Sequence, residues 1–132
     1  MDSIEITILK NLIHNDEYSR KVIPFINKEY FEEFHQKIIF EEVCTFIVKY
    51  NSLPTKETLC IESEKRTDIT EEVFGKIQDC VGLLDDTPND LQWLLDTTEK
   101  WCKDRAIYLA LVESIAIADG NNDKKNQDAI PS

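Results

Sequence analysis

The chain of 132 residues has only three glycines and four prolines, and no Cys-x-x-Cys pair joins any of its four cysteines. With 42 % hydrophobic and 31 % charged residues, that scarcity of breakers suits a soluble helical protein and not a disordered one. Cys44, Cys60, Cys80 and Cys102 lie singly, with no histidine placed to complete a zinc site. They read as reduced thiols in the core. Their even number leaves a disulfide pair open, but no secretion signal favours one.

Positive charge is also short. Fifteen basic against 26 acidic side chains leave a net charge of −11. Gripping a phosphate backbone needs Lys and Arg gathered on one face, so a direct hold on nucleic acid is not expected, and basic partners suit the chain better. The opening "MDSIEIT" puts an acid where the positive region of a signal peptide belongs. The longest apolar run, Ala106 to Val112, is too short to span a bilayer. These features predict a cytoplasmic protein with no membrane partner.

Marks of catalysis are missing as well. Gly75, Gly82 and Gly120 lie far apart, and none belongs to a Gly-x-x-x-x-Gly-Lys-Ser/Thr phosphate loop. Gly-x-Ser-x-Gly and His-Glu-x-x-His do not occur. His14 and His35 sit near predicted helix ends, where a histidine more often meets carbonyls or water than a metal. The acidic neighbours Glu32–Glu33, Glu41–Glu42, Glu71–Glu72 and Asp85–Asp86 point in different directions on a helix and read as solvated faces. Tyr30, Phe31, Phe34, Phe40 and Phe46 read as core, because few basic residues accompany them. No catalytic, cofactor-binding or metal site is expected in these residues.

What the chain does contain is helical periodicity. Ile4, Ile8, Leu9, Leu12 and Ile13 follow helical spacing, although Ile4, Ile6 and Ile8 alone would also fit a strand. Asn15 is placed to cap a second helix carrying Tyr18, Val22, Phe25 and Ile26, and Asn27 to open a short turn. Glu33 to Tyr50 forms a clear helix, which "NSLPT" ends because Pro54 cannot continue it. Thr55 and Thr70 are N-caps for two further helices. Thr87, followed by Pro88 at the first helical position, predicts the start of a last, long helix reaching Gly120. The fold class is all-α: a small helical bundle over 1–86, a long protruding helix over 87–120, and a polar linker over 121–132 in which "AIPS" begins a further segment. The chain thus reads as one domain, part of a longer protein.

From Pro88 to Asp119 the helix would run about 45 Å at 1.5 Å per residue, against a radius of gyration of about 14 Å for a compact domain of this length. It must protrude or lie along the whole body. One apolar stripe (Leu91, Leu94, Leu95, Trp101, Cys102, Tyr108, Leu109, Val112, Ile115, Ala116) is expected to join the core. On the opposite side the first half is mostly polar, but Ile107, Ala110, Leu111, Ile117 and Ala118 are not. A helix apolar all round has to be covered on both sides, so these five residues are the candidate interface for another copy or another protein. Burying five such side chains stabilises by roughly 5–10 kcal/mol, against an association cost of about 4–15 kcal/mol. One such contact is weak, and a ring that repeats it is effective.

The stretches "LIHNDEY" at Leu12, "KEYF" at Lys28, "SLPT" at Ser52, "DLQWLLDTTEKWCKDRAIY" at Asp90 and "AIP" at Ala129 together resemble the N-terminal domain of the replicative DNA helicases of T-even-like phages, in the DnaB-like hexameric family. They span nearly the whole chain, and none is a catalytic signature. The resemblance implies a helical globule followed by a long hairpin whose first arm is the helix over 87–120, and through which N-terminal domains pair as a collar on the hexameric ring. It implies primase as a partner and names a helicase loader as a candidate. It places ATP, Mg and strand contact in a following helicase domain that this chain lacks, so these residues alone are expected to be non-enzymatic. The competing reading is a stand-alone acidic helical adaptor or inhibitor of phage origin that binds a host protein through the same stripe.

Overall fold

The computed structural model describes residues 3–127, with side chains through Asp119. Among the described residues six α-helices run in order: α1 (Ile4–His14), α2 (Asp16–Val22), α3 (Phe34–Tyr50), α4 (Lys56–Glu64), α5 (Glu71–Gly82) and α6 (Leu91–Gln127). Two 3-10 turns, Ile23–Phe25 and Lys28–Tyr30, join α2 to α3. No strand occurs among the described residues, and the all-α expectation holds.

Helix starts follow the side chains that can satisfy free backbone donors. Asn15 Oδ1 accepts from the Tyr18 amide at 3.0 Å, Thr55 Oγ1 from Thr58 at 3.1 Å and Thr70 Oγ1 from Val73 at 3.2 Å. Asn27 opens the second 3-10 turn in the same way. α3 ends at Asn51, which takes a left-handed backbone (φ 52°) that asparagine tolerates better than most residues. The Arg20 guanidinium donates to both its side-chain and backbone oxygens.

The ambiguity of the first segment is settled by burial on nearly all sides. Ile6, Ile8, Leu9, Leu12 and Ile13 are all buried, so α1 is a central helix, and its apolar residues need not keep to one stripe. Against it pack α2 and α3, while α3, α4 and α5 pack on one another. Tyr18, Phe31, Ile39, Val43, Leu59, Ile77, Leu84 and Leu94 complete the core.

Two expectations about the ends of elements are corrected. The long helix starts at Leu91, not at Thr87 and Pro88: the Thr87 amide donates to Asp85 Oδ1 at 2.9 Å in a local turn, and Asp90 Oδ2 caps the helix by accepting from Trp93. It also continues through Gly120 to Gln127, so residues 121–127, expected as linker, are helical. The Ala129–Pro131 start of a further segment lies outside the described residues. Phe25, expected on the buried face of α2, is 74 % exposed, because Pro24 turns the chain out of the α-helix before it.

One polar cluster ties the second half of the bundle together. The Arg66 guanidinium donates to Glu41, Glu42 and Asp68, and Lys28 donates to Glu41. The Glu41 carboxyl is held below the usual carboxylate range, first by the hydrogen bond from Lys28 and then by Arg66. A carboxyl depressed in the folded state adds stability that is present above its unfolded pKa and is lost as pH falls through the lower folded value. Replacing Arg66→Leu strands the largely buried Glu42 and is expected to cost about 1–3 kcal/mol at pH 7. The difference from wild type should shrink in urea melts as pH falls through the depressed folded pKa of Glu41.

Candidate functional site

α6 is rooted in the bundle over its first four turns and then leaves it. Leu94 is buried completely, and beneath the next turn the Tyr18 hydroxyl and Thr98 Oγ1 lie 2.6 Å apart in the interior. Trp101 sits edge-on to Tyr30 at 5.9 Å between ring centroids and against Phe31 at 5.0 Å. Arg105 Nε donates to the Tyr30 carbonyl at 2.6 Å, and its guanidinium lies 4.8 Å from the Tyr108 ring centroid. Beyond Ala106 most side chains of the helix are exposed, Leu109 being half-buried.

The second half of the predicted stripe is therefore not core. Tyr108, Val112 and Ile115 are exposed, Ile115 at 64 %, because neither α2 nor the 3-10 turns reach that far along α6. Ile107, Ala110, Leu111, Ile117 and Ala118 are exposed as well. At about 100° per residue, Ile107, Leu111 and Ala118 share one side of the helix, with Ala110 and Ile117 about 90° away on another. Together with Tyr108, Val112 and Ile115 they make the free part of α6 apolar nearly all round. The signal for the four missed residues, Tyr108, Val112, Ile115 and Ala116, was helix length: a helix longer than its body must leave part of any stripe uncovered.

At the root of α6 lies a feature that periodicity did not show. Val22, Phe25, Leu95, Cys102 and Ala106 line an open groove of about 460 Å³ between α2, the first 3-10 turn and α6, with Lys21 and Lys103 on its rim. It is a largely apolar hollow whose charged lining, Lys21, Lys103 and Glu99, carries both signs. Pro24, which ends α2 before Phe25, was its one trace in the sequence.

This chain is similar to part of a phage helicase. Over 110 residues, 83 % of its length, it is 32 % identical to a protein of Enterobacteria phage T4 described as a DnaB-like replicative helicase. The match covers 23 % of that relative, so the chain spans less than a quarter of its length. No family model matches the chain. The similarity supports a replication-helicase relationship, and it assigns no role to any residue.

No group of three or more His, Cys, Asp or Glu side chains among the described residues could hold a metal ion. All four cysteines are free thiols, and burial pushes Cys44 and Cys80 up to about 11, which leaves little thiolate at neutral pH. His14 Nε2 lies 2.9 Å from the Leu84 carbonyl, and burial lowers the His35 pKa. No described helix is long and apolar enough to cross a membrane.

Tyr18 reports on the root of α6. Burial, the largest cause, drives its phenol up to about 12, above the usual 10.0, despite the opposing hydrogen bond to Thr98. An acid whose folded pKa is raised contributes stability that is complete below the unfolded pKa and is lost as pH climbs toward the folded value. In a spectrophotometric titration, one of the four tyrosines should ionise last, near the alkaline unfolding transition. Tyr18→Phe should remove that late step and, by leaving the Thr98 hydroxyl without its partner, destabilise by about 1–2 kcal/mol.

Proposed function

We propose that this chain is the N-terminal collar domain of a phage replicative DNA helicase, an assembly and docking module that is not itself an enzyme. The observation that carries the reading is the free part of α6: apolar on both sides, past the end of the bundle that holds its root. A helix of that character belongs in an interface. Similarity to a DnaB-like replicative helicase supports the same context.

In this reading the bundle is a head and α6 the first arm of a helical hairpin. Ile107, Ala110, Leu111, Ile117 and Ala118 take part in pairing with further copies around a hexameric ring, and the collar recruits primase, with a helicase loader as a further candidate partner. The full-length protein is an ATP-dependent DNA helicase of the infected bacterial cytoplasm, and ATP, Mg and the DNA strand belong to a domain outside these residues. The net charge of −11 suits a collar that does not itself grip DNA.

That same charge favours the second reading, an acidic adaptor or inhibitor binding a basic host protein. The two differ in salt response: apolar self-pairing changes little with ionic strength, whereas binding of a basic partner weakens steeply. For the collar reading, Leu111→Asp should abolish self-association in light scattering while circular dichroism still shows a helical protein. An unchanged mass for the variant, or a wild-type chain that stays monomeric, counts against it.

A further inference from the structure

A second cleft, about 460 Å³ in volume, lies between the end of α4 and the first turns of α5. Glu71, Phe74, Gly75 and Gln78 bring one side of α5 to it, and Ser63 and Glu64 come from the last turn of α4. Two of these residues make little sense for the bundle alone. Ser63 is buried completely, and its hydroxyl has no hydrogen-bond partner, not even the carbonyl one turn back that helical serines commonly use. A buried polar group left in that state costs stability. Gly75 weakens the interior of α5 relative to alanine, yet a Cβ at that position would meet nothing within 4 Å. Gly82 is as open, but it is the last residue of α5. An unpaired hydroxyl and a bare stretch of helix backbone thus line the same cleft.

The charge there is unbalanced. Arg66 also lines the cleft, but its guanidinium is already held by Glu41, Glu42 and Asp68. Glu64 and Glu71 take part in no ion pair among the described residues. The C-terminus of α4, the negative end of its dipole, lies at the cleft as well, while the start of α5 is capped by Thr70. We infer that the cleft takes an arginine-bearing peptide segment of another protein. The guanidinium donates to the Glu64 and Glu71 carboxylates and stacks on the Phe74 ring, while its aliphatic stem covers Ile69. The peptide backbone crosses Gly75, where no side chain stands in the way, and donates an N–H to Ser63 Oγ. Arginine suits the site better than lysine, whose ammonium has no plane to stack. No part of α6 is used, so this site is independent of the pairing proposed above.

The test uses the whole 132-residue chain with isotope-labelled glycine, which gives one amide signal each for Gly75, Gly82 and Gly120 in magnetic resonance spectra. The probes are acetyl-Leu-Arg-Leu-amide and the same peptide with citrulline, uncharged and nearly isosteric, in place of arginine. The arginine peptide should move the Gly75 signal and leave the other two, and the citrulline peptide should bind about tenfold more weakly or not at all. Glu64→Gln combined with Glu71→Gln should weaken the arginine peptide about tenfold without lowering the melting temperature. Gly75→Leu fills the cleft from an open position. It should keep the melting temperature at or above that of wild type and abolish binding of the fluorescein-labelled arginine peptide in anisotropy measurements. A Gly75 signal that stays in place at millimolar peptide, equal binding of the two peptides, or full binding by Gly75→Leu overturns the proposal. A Gly75→Leu chain that melts well below wild type overturns it too, because the glycine is then a requirement of the fold.

Discussion

Everything distinctive about this protein depends on how the root of α6 is fixed. Leu94, Thr98, Trp101 and Arg105 come round to the same side of the helix within three turns. Each meets a different kind of partner: the apolar core, the Tyr18 hydroxyl, the Tyr30 and Phe31 rings, and the Tyr30 carbonyl. Apolar contacts alone would permit the helix to slide or roll. The Tyr18–Thr98 and Arg105–Tyr30 hydrogen bonds are directional and largely shielded from water, and they set its rotation. Which residues face outward along the rest of the helix follows from that rotation.

The bundle beneath is built to hold this root. α1 lies at the centre, buried on almost every side, and from it Asn11 reaches Asn89 and Lys10 reaches Asp85 in the segment leading into α6. A buried lysine such as Lys10 normally costs stability, and here its charge is met by a partly solvated carboxylate that also closes the local turn at Thr87. The same few side chains therefore end the bundle and start the helix. The start falls at Leu91 because Asp90 accepts from the Trp93 amide there, whereas Thr87 is held in the local turn made by Asp85.

Much of the fold was legible because it is encoded locally. Asn15, Asn27, Thr55 and Thr70 act as caps where the sequence places them, since capping is decided within three residues. Burial is decided by residues far apart in the chain, and there legibility fails. Tyr108, Val112 and Ile115 continue the periodicity of Leu94 and Trp101 without interruption, and nothing local marks the point where α2 and the 3-10 turns stop. The two-sided character of the arm was visible in Ile107, Leu111 and Ala118. The groove was not, because it needs α2 and α6 side by side and Phe25 turned out by Pro24.

The energetics of the arm link its shape to its proposed role. A helix without tertiary contacts has only intrinsic propensity to hold it, and such helices are marginal in water even with favourable sequences. Residues 106–118 are mostly Ala, Leu, Ile and Val and help modestly, whereas "DGNNDKKN" over 119–126 includes glycine, aspartates and asparagines, among the weaker helix formers. The continuation of α6 to Gln127 is therefore not explained by local preference. Packing against a second helix would supply what propensity does not, by burying the apolar side chains and by fixing the backbone over several turns at once. In the proposed pairing, completing the helix and covering its apolar sides are one event, so the lateral contact that would gather the subunits also stiffens the arm that makes it.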